Sequence, residues 1–261
     1  MTFPQVCLLF VAAVLGGAQN SVAGGGSFLT LPALIFAGVP PINANATSTV
    51  ALWPGSLASV GAYRKELVTQ RRELIWLGTI SIAGGLLGAI VLLKTPQNTF
   101  VLLLPFLLLV ATLLFAFGNK IAVWVRTRSE KASLPPWLSL LGSAFVQFVI
   151  AVYGGFFGGG IGILMLALLA VMGMTNIHAM NALKNVLASC INGIAVVAFI
   201  IAGAIYWPQA LVMIVGAVAG GYGSAAIARK LDPRLVRRFV IVVGVVMTIV
   251  FFVRYYLLST P

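Results

Sequence analysis

The sequence predicts an all-α polytopic membrane protein, and three observations carry that prediction. The first is composition: 61% of the 261 residues are hydrophobic and 8% are charged, where a soluble domain carries about 25% charged residues. So apolar a surface would aggregate in water and is solvated in lipid. The second is the length of the unbroken apolar runs, such as Phe100–Phe117. They are too long and too uniform for barrel strands, which alternate apolar and polar residues. The third is where the charge falls. The net charge of +12 could suggest nucleic acid, but the basic residues lie in short clusters between apolar runs, as in the cytoplasmic loops of membrane proteins. The expected surroundings are therefore a lipid bilayer, with no nucleic acid.

Ten apolar segments follow in order: Phe3–Gly17, Val22–Gly38, Asn45–Tyr63, Leu74–Leu93, Phe100–Phe117, Trp137–Phe157, Gly158–Gly173, Asn181–Ala202, Gln209–Ala228 and Phe239–Leu257. Most have the length of about 20 helical residues that a hydrocarbon layer of about 30 Å requires. Val22–Gly38 and Gly158–Gly173 are short and glycine-rich. The first segment has no basic stretch before it and no clear cleavage site, so it reads as a retained helix.

Loop charge sets the sidedness. Arg64-Lys65 with Arg71-Arg72, Lys120 to Lys131, and Arg229 to Arg238 form three basic loops, which the positive-inside rule puts in the cytoplasm of a bacterial inner membrane protein. Pro40–Ala44 and Gly203–Pro208 carry no charge, and Lys94–Asn98 carries one. Four apolar segments separate the second and third basic loops. Both loops face the cytoplasm if Gly158–Gly173 crosses the membrane, and by the same logic Val22–Gly38 crosses too.

A shift of 136 residues relates the two halves. It carries Asn45-Ala46 to Asn181-Ala182, Gly24 to Gly160, Gly26 to Gly162, Gly84-Gly85 to Gly220-Gly221, and Lys94 to Lys230. Residues 1–118 and 137–261 then form two five-segment repeats, joined by a hydrophilic cytoplasmic linker at 119–136. An odd number of crossings turns the second repeat upside down relative to the first. Asn45 would begin its helix at the outer face and Asn181 at the inner one. Inverted-topology repeats with helices broken near the midplane are a signature of secondary transporters.

The chemistry concentrates at two glycine clusters, Gly24-Gly25-Gly26-Ser27 and Gly154-Gly155 through Gly158-Gly159-Gly160-Ile161-Gly162. Each glycine weakens a helix by about 1 kcal/mol relative to alanine, so such clusters break helices. Backbone freed within a membrane is tolerated only around a cavity or against protein, and free N–H groups at a half-helix start attract anions. The competing reading is close helix packing through small residues, which better suits Gly84/Gly88 and Gly216/Gly220. Polar residues follow each break: Asn45, Thr47, Ser48 and Thr49 in the first half, and Asn181, Lys184, Asn185 and Asn192 in the second. Asn181, Lys184 and Asn185 share a helix face. Lys184 stands well apart from the basic loops, and an intramembrane cation suits an anionic ligand; a lysine snorkelling from the inner helix end is the alternative. His178 reads first as a loop histidine and second as a proton relay. Gln19, Asn20 and Gln147 could add dipoles to a cavity.

Catalysis has little to work with. The acids number four, Glu66, Glu73, Glu130 and Asp232, all in or beside the basic loops. With one histidine and no metal-ligand spacing, neither an enzyme nor a cofactor or metal is expected. Cys7 and Cys190 read as small buried hydrophobes.

The motif Gly24-Gly-Gly-Ser-Phe-Leu-Thr-Leu-Pro-Ala-Leu34 with Ile42-Asn-Ala-Asn-Ala-Thr-Ser48 resembles the TauE/SafE family of membrane permeases. So does Gly154-Gly-Phe-Phe-Gly-Gly-Gly-Ile-Gly162 with Asn181-Ala-Leu-Lys-Asn-Val-Leu-Ala-Ser189. The resemblance covers nearly the whole chain. It implies export of sulfite or organosulfonates such as sulfoacetate, driven by an ion gradient. In one respect the halves differ: Pro32 ends the first motif, where the second has Leu168.

The expectation is a secondary transporter that moves a small sulfur oxyanion by alternating access. Backbone of Gly24, Gly25, Gly26, Ser27, Gly159, Gly160 and Gly162 would receive the anionic substrate. Asn45, Thr47, Ser48, Asn181 and Asn185 would complete the shell, and Lys184 would add positive potential. The coupling ion would be a proton or sodium. The alternatives are a permease for a neutral or zwitterionic metabolite, with Lys184 structural, and a membrane scaffold that transports nothing.

Overall fold

The structure is a computed structural model that describes residues 1–22, 25–62, 71–129, 136–227 and 233–257. Ten α-helices run through them: α1 (Phe3–Val22), α2 (Ser27–Phe36), α3 (Pro41–Ala62), α4 (Arg71–Lys94), α5 (Gln97–Ser129), α6 (Pro136–Phe156), α7 (Ile161–Val171), α8 (Ile177–Ile201), α9 (Trp207–Ile227) and α10 (Pro233–Phe252). A π-helical turn, Val253–Leu257, follows α10. Each of the ten apolar segments is a helix, and among the described residues there is no strand. Five helices are long and apolar enough to cross a membrane: α1, α4, α5, α8 and α10. The two glycine-rich segments give the short helices α2 and α7, of 10 and 11 residues. At about 1.5 Å per residue each reaches roughly halfway across a bilayer.

Three boundaries differ from the sequence reading. Helix α5 does not stop at Phe117 but continues to Ser129, into the segment taken as linker, because no glycine or proline follows Gly118 until Pro135. Helix α3 starts at Pro41, a residue pre-set for the first helical position, so Asn45 lies one turn inside it. Helix α8 starts at Ile177 and is capped by Asn176, whose side chain accepts from the His178 and Ala179 N–H groups. Asn181 is therefore also one turn inside its helix.

Contacts between helices give their directions. Gly26 packs on Gly16, and Gln5 Nε2 donates to the Ala37 carbonyl at 3.2 Å. Helix α2 thus runs back along α1 and returns the chain to the face where α1 began. Helix α3 starts on that face. So do the α4–α5 turn, where the Ile42 N–H donates to Gln97 Oε1 at 3.2 Å, and the α8–α9 turn, where Asn43 Nδ2 donates to the Ala204 carbonyl at 2.9 Å. The three loops with little or no charge are gathered on one face. The helix ends that flank the basic clusters lie on the other. Of those clusters, Arg64, Lys65, Lys131, Arg229 and Lys230 fall outside the described residues.

The helix pairings repeat when the halves are exchanged. Helix α1 packs on α9 as α6 packs on α4, and α3 on α9 as α8 on α4, while α3·α8 and α5·α10 exchange into themselves. Carbonyls match as well. A Cβ added at Gly220 would fall on the Val14 carbonyl, and one at Gly88 on the Val152 carbonyl. Gly216 meets the Phe10 carbonyl at 2.8 Å, and Gly84 the Phe148 carbonyl at 2.8 Å. These glycines are packing faces, as read. Gly88 against α6 rises in register with Gly84, as Gly220 does with Gly216 against α1, so both pairs are parallel. Since α4 runs opposite to α1 and α6 runs with α4, α6 runs opposite to α1.

The register is not one number. Val14 and Val152 are 138 residues apart, Gly25 and Gly160 are 135 apart, and Gly88 and Gly220 are 132 apart. The single shift of 136 fits α3 against α8, and it misplaces the glycines of the other helices by up to one turn.

Side-chain polarity is inverted relative to a water-soluble protein. Ile82, Leu86, Phe106, Leu109, Phe145, Leu211, Val242 and Ile249 are exposed, whereas Thr30, Asn45, Thr47, Ser48, Ser81 and Gln147 are buried. Outward apolar surface is what lipid requires, and Thr30, Asn45, Thr47, Ser48 and Ser81 find hydrogen-bond partners inside the fold.

Candidate functional site

The breaks that precede α2 and α7 are built alike. Gly25 has φ +85°, Gly158 +82° and Gly160 +80°, a left-handed conformation that favours glycine. The Phe28 N–H donates to the Gly25 carbonyl at 3.0 Å, and the Ile163 N–H to the Gly160 carbonyl at 3.1 Å. Neither half-helix has a side-chain cap at its N-terminus, in contrast to α8. Both short helices end the same way. Gly38, at φ +88°, and Gly173, at φ +89°, close Schellman turns, with Val39 donating to Leu34 at 3.0 Å and Met174 to Leu169 at 3.1 Å.

In each half a side chain six residues upstream holds a carbonyl of the break. Gln19 Nε2 donates to the Gly25 carbonyl at 2.7 Å, and the Tyr153 hydroxyl donates to the Gly159 carbonyl at 2.8 Å. In the sequence Gln19 reads only as a dipole that could line a cavity, and Tyr153 is not among the residues singled out. The only signal was their common spacing to the glycines.

The breaks flank the crossing of α3 and α8. Gly26 packs on Leu52. At the next residue, Trp53 Nε1 donates to the Ser189 carbonyl at 3.2 Å, and the indole covers Gly193. One residue before Gly193, Asn192 Oδ1 lies 3.9 Å from the Cβ position of Gly158. A continuous path therefore runs from one break to the other through the crossing. Helix α5 borders both, with Phe115 against Gly25 and Ala111 and Leu114 against Gly159 and Gly160.

The polar residues singled out in the sequence divide into two groups. Asn45, Thr47 and Ser48 are buried in bonds that hold the fold. Asn45 Nδ2 donates to the Phe156 carbonyl at 2.9 Å, closing the end of α6 at the second break. Thr47 Oγ1 accepts from the Tyr206 N–H at 3.1 Å. The Ser48 and Thr30 hydroxyls share a 2.6 Å bond, and Thr30 Oγ1 also lies 3.2 Å from the Gly26 carbonyl. On α8 the side chains are less committed. Lys184 Nζ donates to Asn181 Oδ1 at 3.2 Å, its stem lies against the Cβ position of Gly162 at 3.3 Å, and Asn185 is half-buried on the same face. Lys184 thus stands beside the first turn of α7. Ser27 opens α2, and Gly24 lies outside the described residues. Asn20 Nδ2 donates to Ser56 Oγ at 3.2 Å, while Gln147 Nε2 donates to Ser81 Oγ at 2.7 Å between α6 and α4. His178, on the first turn of α8, is exposed. Among the described residues no cluster of histidine, cysteine, aspartate or glutamate could hold a metal.

Two uncapped half-helix starts, with a lysine beside one of them, can hydrogen-bond oxygens and stabilise negative charge. The family model for the sulfite exporter TauE/SafE matches residues 9–251. A "Probable membrane transporter protein" of Haemophilus influenzae is 31% identical over 245 residues, 93% of this chain and 91% of that protein. "Probable membrane transporter protein ORF9" of a Sinorhizobium species is 26% identical over 252 residues, 95% of this chain and 93% of that protein. "Probable membrane transporter protein YfcA" of Escherichia coli K12 is 29% identical over 243 residues, 92% of this chain and 87% of that protein. No solved structure matches. The chain is an integral membrane transporter, and it belongs to the sulfite exporter TauE/SafE family.

Proposed function

We propose that this transporter exports a small sulfur oxyanion, such as sulfite or an organosulfonate, across the inner membrane by alternating access. One observation carries the reading. The half-helices α2 and α7 begin on uncapped glycines at either side of the α3–α8 crossing, with the Lys184 cation beside the second. No carboxylate of the sequence lies inside an apolar segment to oppose an anion. The anionic oxygens accept from backbone N–H groups at Gly26–Ser27 and Gly160–Gly162. Asn181 and Asn185 border the second half-site and Lys184 supplies the positive potential. Asn45, Thr47 and Ser48 act one step back, by holding the breaks in shape.

Alternating access follows from two inverted repeats rocking against each other about the α3–α8 crossing. The exchange of helix pairings between the halves and the opposed directions of α1 and α6 support that arrangement. The face bearing Asn43 and Gln97 is external, and the basic face is cytoplasmic.

The test is counterflow of labelled sulfite in proteoliposomes of the purified protein. Wild type is expected to exchange sulfite and to be inhibited by organosulfonates. Lys184→Ala is expected to raise the half-saturating sulfite concentration about 10-fold or more. Absence of sulfite exchange, with intact exchange of a neutral or zwitterionic solute, would sink the oxyanion reading. Unchanged transport by Lys184→Ala would remove the lysine from it.

A further inference from the structure

Among the described residues four buried side-chain atoms have no hydrogen-bond partner, on Gln19, Gln147, Ser189 and Gln209, and the one on Gln19 lies at the first break. Gln19 is 4% exposed, on the last turn of α1, with its amide against Gly25. Nε2 donates to the Gly25 carbonyl at 2.7 Å. That bond fixes the orientation of the amide, because only its nitrogen can donate to a carbonyl. Oε1 is then buried with no hydrogen-bond partner. An unmatched buried acceptor costs about 1–3 kcal/mol, which an apolar side chain of the same shape would avoid. Beside it stands the first turn of α2, a helix of 10 residues without a side-chain cap. Donors for anionic oxygens and an acceptor awaiting a donor occupy the same break.

A dianion satisfies only half of such a site, since its oxygens are repelled by Oε1. An oxyanion that keeps one proton satisfies both halves: its charged oxygens accept from the helix N–H groups, and its O–H donates to Oε1. The geometry points to Gln19 as a specificity-determining residue that selects the singly protonated oxyanion, hydrogen sulfite in its O–H form, over the sulfite dianion. This inference rests on the oxyanion reading. It has a consequence for coupling. The four acids lie in or beside the basic loops, so the apolar segments have no carboxylate on which to carry a proton. A proton that crosses bound to the ligand needs none. Each turnover moves one negative charge and one ligand-borne proton.

The experiment compares sulfite with methanesulfonate, a monoanion without an ionisable proton, in proteoliposomes of wild type and of the near-isosteric variant Gln19→Met. For wild type, the half-saturating total sulfite is expected to rise about tenfold per pH unit above the pKa at which hydrogen sulfite loses its proton, while that of methanesulfonate stays flat. Gln19→Met is expected to raise half-saturation for sulfite about 10-fold at neutral pH, the loss of about one hydrogen bond to a charged group, and to change that for methanesulfonate less than about 2-fold. Equal weakening of both ligands would reduce Gln19 to a prop for the Gly25 carbonyl and overturn the inference. Sodium-dependent transport that loses its sodium dependence in Gln19→Met would overturn it in favour of a metal-ion ligand. A second measurement needs no variant. The charge moved per labelled sulfite at a set membrane potential is expected to be one, and a value of two would overturn the inference. Wild type that transports neither ligand would instead defeat the oxyanion reading itself.

Discussion

The two helix breaks share a backbone and differ in charge. At the first, a neutral amide holds the Gly25 carbonyl and keeps a spare acceptor. The Phe115 ring walls it, in edge-to-face contact with Phe28 at 5.5 Å. At the second, a phenol holds the Gly159 carbonyl, Asn192 Oδ1 lies 3.9 Å from the Cβ position of Gly158, and Lys184 stands beside the first turn of α7. Backbone geometry is thus conserved between the halves while side-chain chemistry is not. The glycines set where N–H groups are free, and single side chains set the polarity beside them.

Substitutions can pull these layers apart. The largest effect is expected from Gly25→Ala. Its φ of +85° is strained for alanine, and the new Cβ would sit 2.6 Å from the Phe115 ring. Left-handed strain of about 1–2 kcal/mol and overpacking of about 1–3 kcal/mol combine, so thermal unfolding in detergent should show a loss of about 3 kcal/mol. Gly160→Ala carries similar strain at φ +80°, but its Cβ meets nothing closer than 3.4 Å. Only the 1–2 kcal/mol of strain is expected. Equal losses would mean that the Phe115 wall gives way and that the breaks are mechanically alike.

Ligand response separates the breaks by charge. Lys184→Ala should weaken sulfite and methanesulfonate together, because a cation acts on any anion, whereas Gln19→Met should weaken sulfite alone. If both variants treat the two ligands the same, the electrostatic contrast between the breaks is void. The smallest effect is expected from Ser48→Ala. It removes the 2.6 Å bond to Thr30 but leaves the Thr30 hydroxyl near the Gly26 carbonyl. A loss of about 1 kcal/mol with little change in half-saturation would fit its place behind the site.

Much of this was legible in the sequence because hydropathy and glycine act locally. Ten apolar runs became ten helices, and the clusters around Gly25 and Gly160 became breaks. Side-chain partners were less legible. Asn45, Thr47 and Ser48 read as ligand groups because they are polar residues in an apolar segment. They bond instead to residues up to 159 positions away, as Thr47 does with Tyr206, and such pairings have no local signature. Gln19 and Tyr153 were undervalued for a related reason: each acts on a carbonyl exposed only once the chain has broken. The shift of 136 shows in the sequence at Asn45-Ala46 and Asn181-Ala182, which lie on α3 and α8. The other helices slid by up to a turn, since a shortened or lengthened connection moves a whole helix without disturbing the small-residue seam that it packs along.

That register has a consequence at the crossing. Trp53 and Ser189 are 136 residues apart, so under the exchange of halves they map onto each other, and they are in contact. This pair is its own counterpart. A change at Trp53 falls on the contact between α3 and α8 itself, so bulk there bears on both halves at once, whereas bulk at a break bears on one of them.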